Sequence, residues 1–147
     1  MRTGGGMREG TMLSGEFVLH HPCGLRIARG MDEKQAASLC GSAPEEMGNG
    51  FVWRHLPQAP VDAGVLAAGL CFYRGDLVTV SLRVGNAKPD TDDWKSWTEA
   101  EERECVRRTG KWLRGLGYKP GNYRWCEICL GYDPRSGSGS AVVRFHQ

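Results

Sequence analysis

Two adjoining apolar runs constrain the fold more than any other feature of the chain: VLAAGLCFY (Val65–Tyr73) and LVTVSLRV (Leu77–Val84). In the second, Val78, Val80, Leu82 and Val84 alternate with Leu77, Thr79, Ser81 and Arg83. Successive side chains on a strand point to opposite faces, so this period-two pattern belongs to a sheet with one buried face. Arg74-Gly75, between the runs, reads as the tight turn of a hairpin.

A second hairpin is expected near the end of the chain. Tyr123–Tyr132 leads through DPRSGSGS to Ala141–Phe145. Alternation places Cys126, Ile128, Leu130 and Tyr132 on one face, and Tyr123, Trp125, Glu127 and Cys129 on the other. Shorter strands are expected at Glu16–His20, around Leu25 and Ile27, and at Phe51–His55. Pro44–Gly50, Leu56–Gly64 and Gly85–Trp97 read as loops or irregular links.

Two helices carry capping signals. Asp32, with Gln35 three residues later, opens Glu33–Cys40, and Gly41 closes it. Thr98 with Glu101 opens a longer helix ending near Gly115, whose apolar face holds Cys105, Thr109, Trp112, Leu113 and Leu116. Acids fill its first turns and bases the rest, which complements the helix dipole. Gly110 weakens its middle by about 1 kcal/mol relative to alanine.

With 147 residues the chain has the size of one domain. The expected fold is α+β: an antiparallel sheet with one long and one short helix packed on one face. A disordered lead, residues 1–15, precedes a single domain, 16–147. The expected core holds Leu39, Val78, Val80, Leu82, Trp112, Leu113, Leu116, Ile128, Leu130, Val143 and Phe145. Trp53 and Trp125 are also expected to be core residues.

Charge and hydropathy exclude several function classes. The 19 basic and 17 acidic residues leave a net charge of +2, too balanced to indicate nucleic acid or a membrane surface. No run approaches the roughly 20 apolar residues of a membrane span, and the opening residues lack a secretory signal's apolar core. A cytoplasmic location follows as the expectation, with the six cysteines as free thiols.

The sequence offers several candidate sites. Cys126-x-x-Cys129 has the spacing of a zinc or redox pair, but residues three apart on a strand face opposite ways and cannot grip one metal. His20, His21 and Cys23 gather two imidazoles and a thiol, a set that could bind metal or pair a nucleophile with a base. Asp90, Asp92 and Asp93 resemble the start of a calcium loop. The pattern fails at Trp94, at Lys95 and at position twelve, where Glu101 already serves the helix cap. Arg103, Arg107, Arg108, Lys111 and Arg114 form a basic helix face that could meet phosphates, although pairing with glutamates on the same helix explains it more simply. Trp94, Trp97, Tyr123, Trp125, Tyr132 and Arg135 supply the residue types that dominate protein-binding hot spots.

Gly24-Leu25-Arg26-Ile27, Gly30-Met31-Asp32, Leu39-Cys40-Gly41 and Pro44 resemble the opening of the α/β module found in SmpA/OmlA outer-membrane lipoproteins and beta-lactamase inhibitory proteins. Phe72–Leu82, FYRGDLVTVSL, looks like that module's hairpin. The resemblance covers residues 24–82 and implies a helix-on-sheet module that binds another protein through its sheet. The chain departs from the lipoproteins in showing neither a signal peptide nor a lipidation cysteine at its start. In size and general character it also resembles small bacterial immunity proteins.

The expected function is therefore a non-catalytic protein-binding module, a bacterial toxin-immunity or inhibitor protein without cofactor or metal. Its partner would be another protein, such as a toxin, with no membrane and no nucleic acid. Two alternatives stand beside it: a small enzyme or metal protein using His20, His21 and Cys23, and a nucleic-acid binder using the basic face within 103–114.

Overall fold

The computed structural model describes residues 16–40, 44–86, 98–135 and 138–146. In chain order the elements are β1 (Val18–His20), β2 (Arg26–Ala28), α1 (Glu33–Cys40), β3 (Glu45–Glu46), β4 (Phe51–His55), β5 (Ala59–Val61), β6 (Gly64–Tyr73) and β7 (Asp76–Gly85). Then follow α2 (Glu99–Gly115), β8 (Gly121–Asn122), β9 (Cys126–Asp133) and β10 (Ser138–Phe145). Eight strands form one antiparallel sheet in the order β3-β4-β6-β7-β10-β9-β8, with β5 also paired to β6. β1 and β2 form a separate two-stranded ribbon.

This architecture corrects the expected α+β fold. The molecule is mostly antiparallel sheet, and one helix, α2, packs across it against β7, β9 and β10. The short helix α1 packs beside β4 and buries Ala36 in the core. Two segments read as links hold short strands, β3 within Pro44–Gly50 and β5 within Leu56–Gly64, and a third short strand, β8, follows the long helix. Each has only two or three residues, too few to show alternation. Pro60 is tolerated in β5 because that strand pairs with β6 alone, leaving its other edge unbonded.

The β6–β7 hairpin is the centre of the sheet. Its turn has positive φ at both central residues, Arg74 at 51° and Gly75 at 93°. That is the primed two-residue turn whose twist suits a hairpin. Leu66, Ala68, Leu70 and Phe72 stand opposite Val84, Leu82, Val80 and Leu77, and all eight are buried. The register shifts between Cys71 and Phe72, and Val78 is the extra residue of a bulge. Leu77 therefore turns inward and Val78 does not, reversing the expectation for that end of the strand. Ala141, Val143 and Phe145 of β10 and Cys126 and Ile128 of β9 extend the same buried face.

Where β7 and β10 part, α2 takes over the pairing. Ladder partners end at Leu82 and Ala141. Beyond them the Val84 N–H donates to Thr109 Oγ1 at 2.9 Å, and Arg108 Nη1 donates to the Val84 carbonyl at 3.4 Å. Glu102 accepts from Arg83 Nη2 at 2.8 Å and from the Gly139 N–H at 3.1 Å. The helix lies so close here that a Cβ on Gly139 would sit 2.2 Å from the Glu102 carbonyl oxygen. Gly110 has a matching role, because a Cβ there would meet Leu130 Cδ2 at 2.6 Å. It leaves room for the sheet beneath the helix.

Thr98 caps α2 as expected, its hydroxyl accepting from the Glu101 N–H at 3.0 Å. Asp32 and Gln35 form the reciprocal box, Gln35 N–H to Asp32 Oδ1 and Asp32 N–H to Gln35 Oε1. Leu116 lies at the C-cap and is 45% exposed, so it leaves the expected core. Trp112 is half-buried against the core. The β1–β2 ribbon adds what the sequence reading omitted: Phe17, Leu19, Leu25 and Ile27 are buried. Tyr118 pins it, its hydroxyl donating to the Val18 carbonyl at 2.9 Å while its ring lies 4.8 Å from that of Phe17. The side chain of Leu39 and the lead at residues 1–15 lie outside what is described. No helix among the described residues is long and apolar enough to cross a membrane.

Candidate functional site

Three turns meet at one end of the sheet, and the backbone joins them. The Arg74 N–H donates to the Gly50 carbonyl at 3.0 Å, and the Glu33 N–H donates to the Gly75 carbonyl at 3.0 Å. The Leu77 N–H donates to the Met31 carbonyl at 3.2 Å. The Gly48–Gly50 turn, the Arg74-Gly75 turn and the Gly30–Asp32 segment thus form one continuous rim. Four of its glycines, Gly30, Gly48, Gly50 and Gly75, have φ between 86° and 94°, the left-handed region that favours glycine.

Aromatic and basic side chains line this rim. Phe51 and Tyr73, opposite each other on β4 and β6, have ring centroids 4.6 Å apart. The Arg74 guanidinium lies 5.2 Å from the Tyr73 ring centroid. Met47, at 53% exposure, and Phe51, at 36%, are two of the three large apolar residues most open to solvent among those described. Further along, Arg29 and Arg124 share one indole, at 4.3 Å and 5.1 Å from the Trp125 ring. The Trp125 carbonyl accepts from the His146 N–H at 2.8 Å, and His146 Nε2 lies 2.9 Å from Asn122 Oδ1. Each guanidinium is held over an aromatic face, an attraction worth roughly 0.5–1 kcal/mol at exposed sites.

The outer face of the sheet is the second feature. Among the described residues no helix covers it. His55 and Trp53 stack with centroids 6.1 Å apart and lean over Gly69, whose hydrogen takes the space a Cβ would need 3.2 Å from His55 Nδ1. His55 Nε2 lies 3.2 Å from Glu45 Oε1. With Ser81 and Arg83 these residues border a shallow depression of about 490 Å³. His55 stands opposite Gly69, and Gly69 opposite Ser81. Two strand spacings, about 10 Å, therefore separate the His55 and Ser81 backbones, a wide gap for a nucleophile and its base.

The structure divides the hot-spot residues expected from sequence. Trp94 and Trp97, with Asp90, Asp92 and Asp93, lie outside the described residues. Trp125 is half-buried on the rim, beneath two arginines and not in the core where it was expected. Trp53 is also outside the core, on the outer face. Tyr123 is packed against the core, its hydroxyl donating to the Lys119 carbonyl at 2.7 Å. Tyr132 lies at the far end of β9, seven residues or about 23 Å from Trp125, under Arg103 at 4.7 Å. Arg135 is exposed in the adjoining turn. Met47, Phe51, Tyr73, Arg74, Arg29 and Arg124 were not singled out from the sequence. The only signal available was the recurrence of Arg and Gly next to aromatics at turns.

The metal and catalytic alternatives lose their geometry. His20 is exposed, His21 is buried and Cys23 is half-buried. The Cys23 N–H donates to His21 Nδ1 at 3.0 Å, while His21 Nε2 is buried without a hydrogen-bond partner. Burial holds the His21 imidazole below its ordinary pKa. Its Nδ1 is committed to its own turn. No group of three His, Cys, Asp or Glu among the described residues is placed to hold a metal ion. Cys126 is fully buried, and burial pushes its thiol pKa up; Cys129 lies on the opposite face, 3.7 Å from Arg144 Nη1. On the basic helix face, Arg103 pairs with Glu99 and Arg107 with Glu104, and Arg108 turns to the Val84 carbonyl.

No protein-family model matches this chain, and neither does any curated protein or any solved structure.

Proposed function

We propose that this chain is a non-catalytic protein-binding module that meets its partner through the arginine–aromatic rim. The observation that carries this reading is the exposure of Met47 and Phe51 beside Arg74, seated on the Tyr73 ring, on a rim that further along holds Arg29 over Trp125. Interface energy concentrates in Trp, Tyr and Arg side chains, surrounded by contacts that exclude water. Guanidinium groups held in place before binding lose less side-chain freedom when a partner arrives. The backbone bonds between the three turns add rigidity, so the rim presents a preformed surface. A toxin-immunity or inhibitor role in a bacterial cytoplasm is the class we assign. The resemblance of residues 24–82 to inhibitory-protein modules supports the same class.

The test is capture with the tagged full chain from lysate of its own organism, using three forms. The wild type should retain one stoichiometric partner through a salt wash. Phe51→Asp should lose it, and Lys111→Ala, on the exposed side of α2, should keep it. Retention by Phe51→Asp, or substrate turnover that depends on His21 or Cys23 in a folded protein, would refute this reading.

A further inference from the structure

We infer that the Arg29–Trp125–Arg124 cluster is a receptor for a carboxylate-bearing segment, an Asp- or Glu-containing stretch of the protein partner. This deepens the proposed function and rests on it. Arg54, Arg83, Arg103, Arg107 and Arg144 each meet a glutamate. Arg29 and Arg124 meet no carboxylate among the described residues and instead share one indole. Two like charges on one ring repel each other, and an anion between or beside them relieves that repulsion. Their positions are set from two separate parts of the fold. Arg29 follows β2, and Arg124 and Trp125 precede β9. The pair is therefore a feature of the folded chain and not of a local charge run. Guanidinium groups offer forked donors that match a carboxylate.

The surroundings favour an acidic peptide over nucleic acid. Single-stranded nucleic acid needs a free aromatic face for base stacking, and guanidinium groups already occupy the Trp125 indole. The same rim carries Asp32 and Asp76, which are paired across a β-bridge. A continuous phosphate backbone would run into those charges, whereas one or two carboxylates need reach only the arginine pair.

The experiment titrates the full chain with an acetylated Glu-Asp-Glu-Asp peptide and follows the five tryptophan indole N–H signals by NMR. Trp125→Phe assigns the signal. The expected result is a saturable shift of the Trp125 signal, larger than a Gln-Asn-Gln-Asn peptide produces. Arg29→Gln and Arg124→Gln should each weaken binding about threefold to fivefold, as for an exposed ion pair, and Arg135→Gln should leave it unchanged. Equal shifts from the acidic and neutral peptides would overturn the inference. So would a twelve-nucleotide single strand that moved Trp125 at lower concentration than the peptide. The two readings fail separately. If the captured partner is lost on Phe51→Asp but kept by the Arg29→Gln/Arg124→Gln double variant, the module reading stands and the carboxylate receptor falls.

Discussion

Replacing Glu102 by alanine should be the most damaging single change on the surface of α2. Its carboxylate is 10% exposed and joins three elements: it holds Arg83 of β7 through two bonds, at 2.8 Å and 3.3 Å, and the Gly139 N–H of β10. Removal leaves Arg83 without this acid in a partly desolvated site and orphans a buried amide. Breaking a buried pair costs about 3–5 kcal/mol, and an orphaned buried donor about 1–3. Arg83 is 29% exposed and regains some hydration, so a net loss of about 3 kcal/mol is expected. Urea unfolding followed by circular dichroism measures it. With a slope of about 2 kcal/mol per molar urea, the midpoint should fall by about 1.5 M. Glu102→Gln keeps an acceptor for Gly139 and should lose less. A double-mutant cycle with Arg83→Gln should show coupling of at least about 1 kcal/mol. A loss under about 0.5 kcal/mol for Glu102→Ala, or strict additivity with Arg83→Gln, would refute the claim that this carboxylate seals the parted strands.

Three further outcomes are expected. Gly139→Ala should destabilise the fold by about 2–4 kcal/mol in the same urea assay, because its Cβ would meet helix backbone that cannot swing aside. Stability should fall as pH drops below about 6.5, because unfolded His21 takes up a proton that its buried native form resists. The slope from this residue is at most about 1.4 kcal/mol per pH unit, and a pH series of unfolding curves should show it flattened in His21→Asn. In the native protein Cys129 should react with a thiol reagent well before Cys126, whose buried thiol has a raised pKa; peptide mapping after timed alkylation reads the order.

The long elements were legible because they repeat a period. The two central strands, their turn, the last hairpin and both helix caps follow from alternation and capping chemistry in the residues themselves. The bulge at Val78 was not legible, because local alternation stays regular while the partner strand shifts register. The strands β3, β5 and β8 were missed because two or three residues carry no period, and pairing partners decide them. Glu102 and Gly110 illustrate a different blindness. In the sequence they read as an acid that complements the helix dipole and a weak point in a helix. In the fold the first bonds two strands and the second admits Leu130 beneath the helix. The rim escaped the sequence reading for a related reason. Arg29 and Trp125 are far apart in the chain, and only the seating of the β1–β2 ribbon on the sheet brings them together.

The measurement that tests the central claim most directly is partner capture by the full chain with and without Phe51→Asp. A binding module working through the rim predicts a single stoichiometric partner with wild type, lost on that one exposed substitution while urea unfolding shows the fold intact. Capture undiminished by Phe51→Asp would contradict the claim and move the binding surface elsewhere on the molecule.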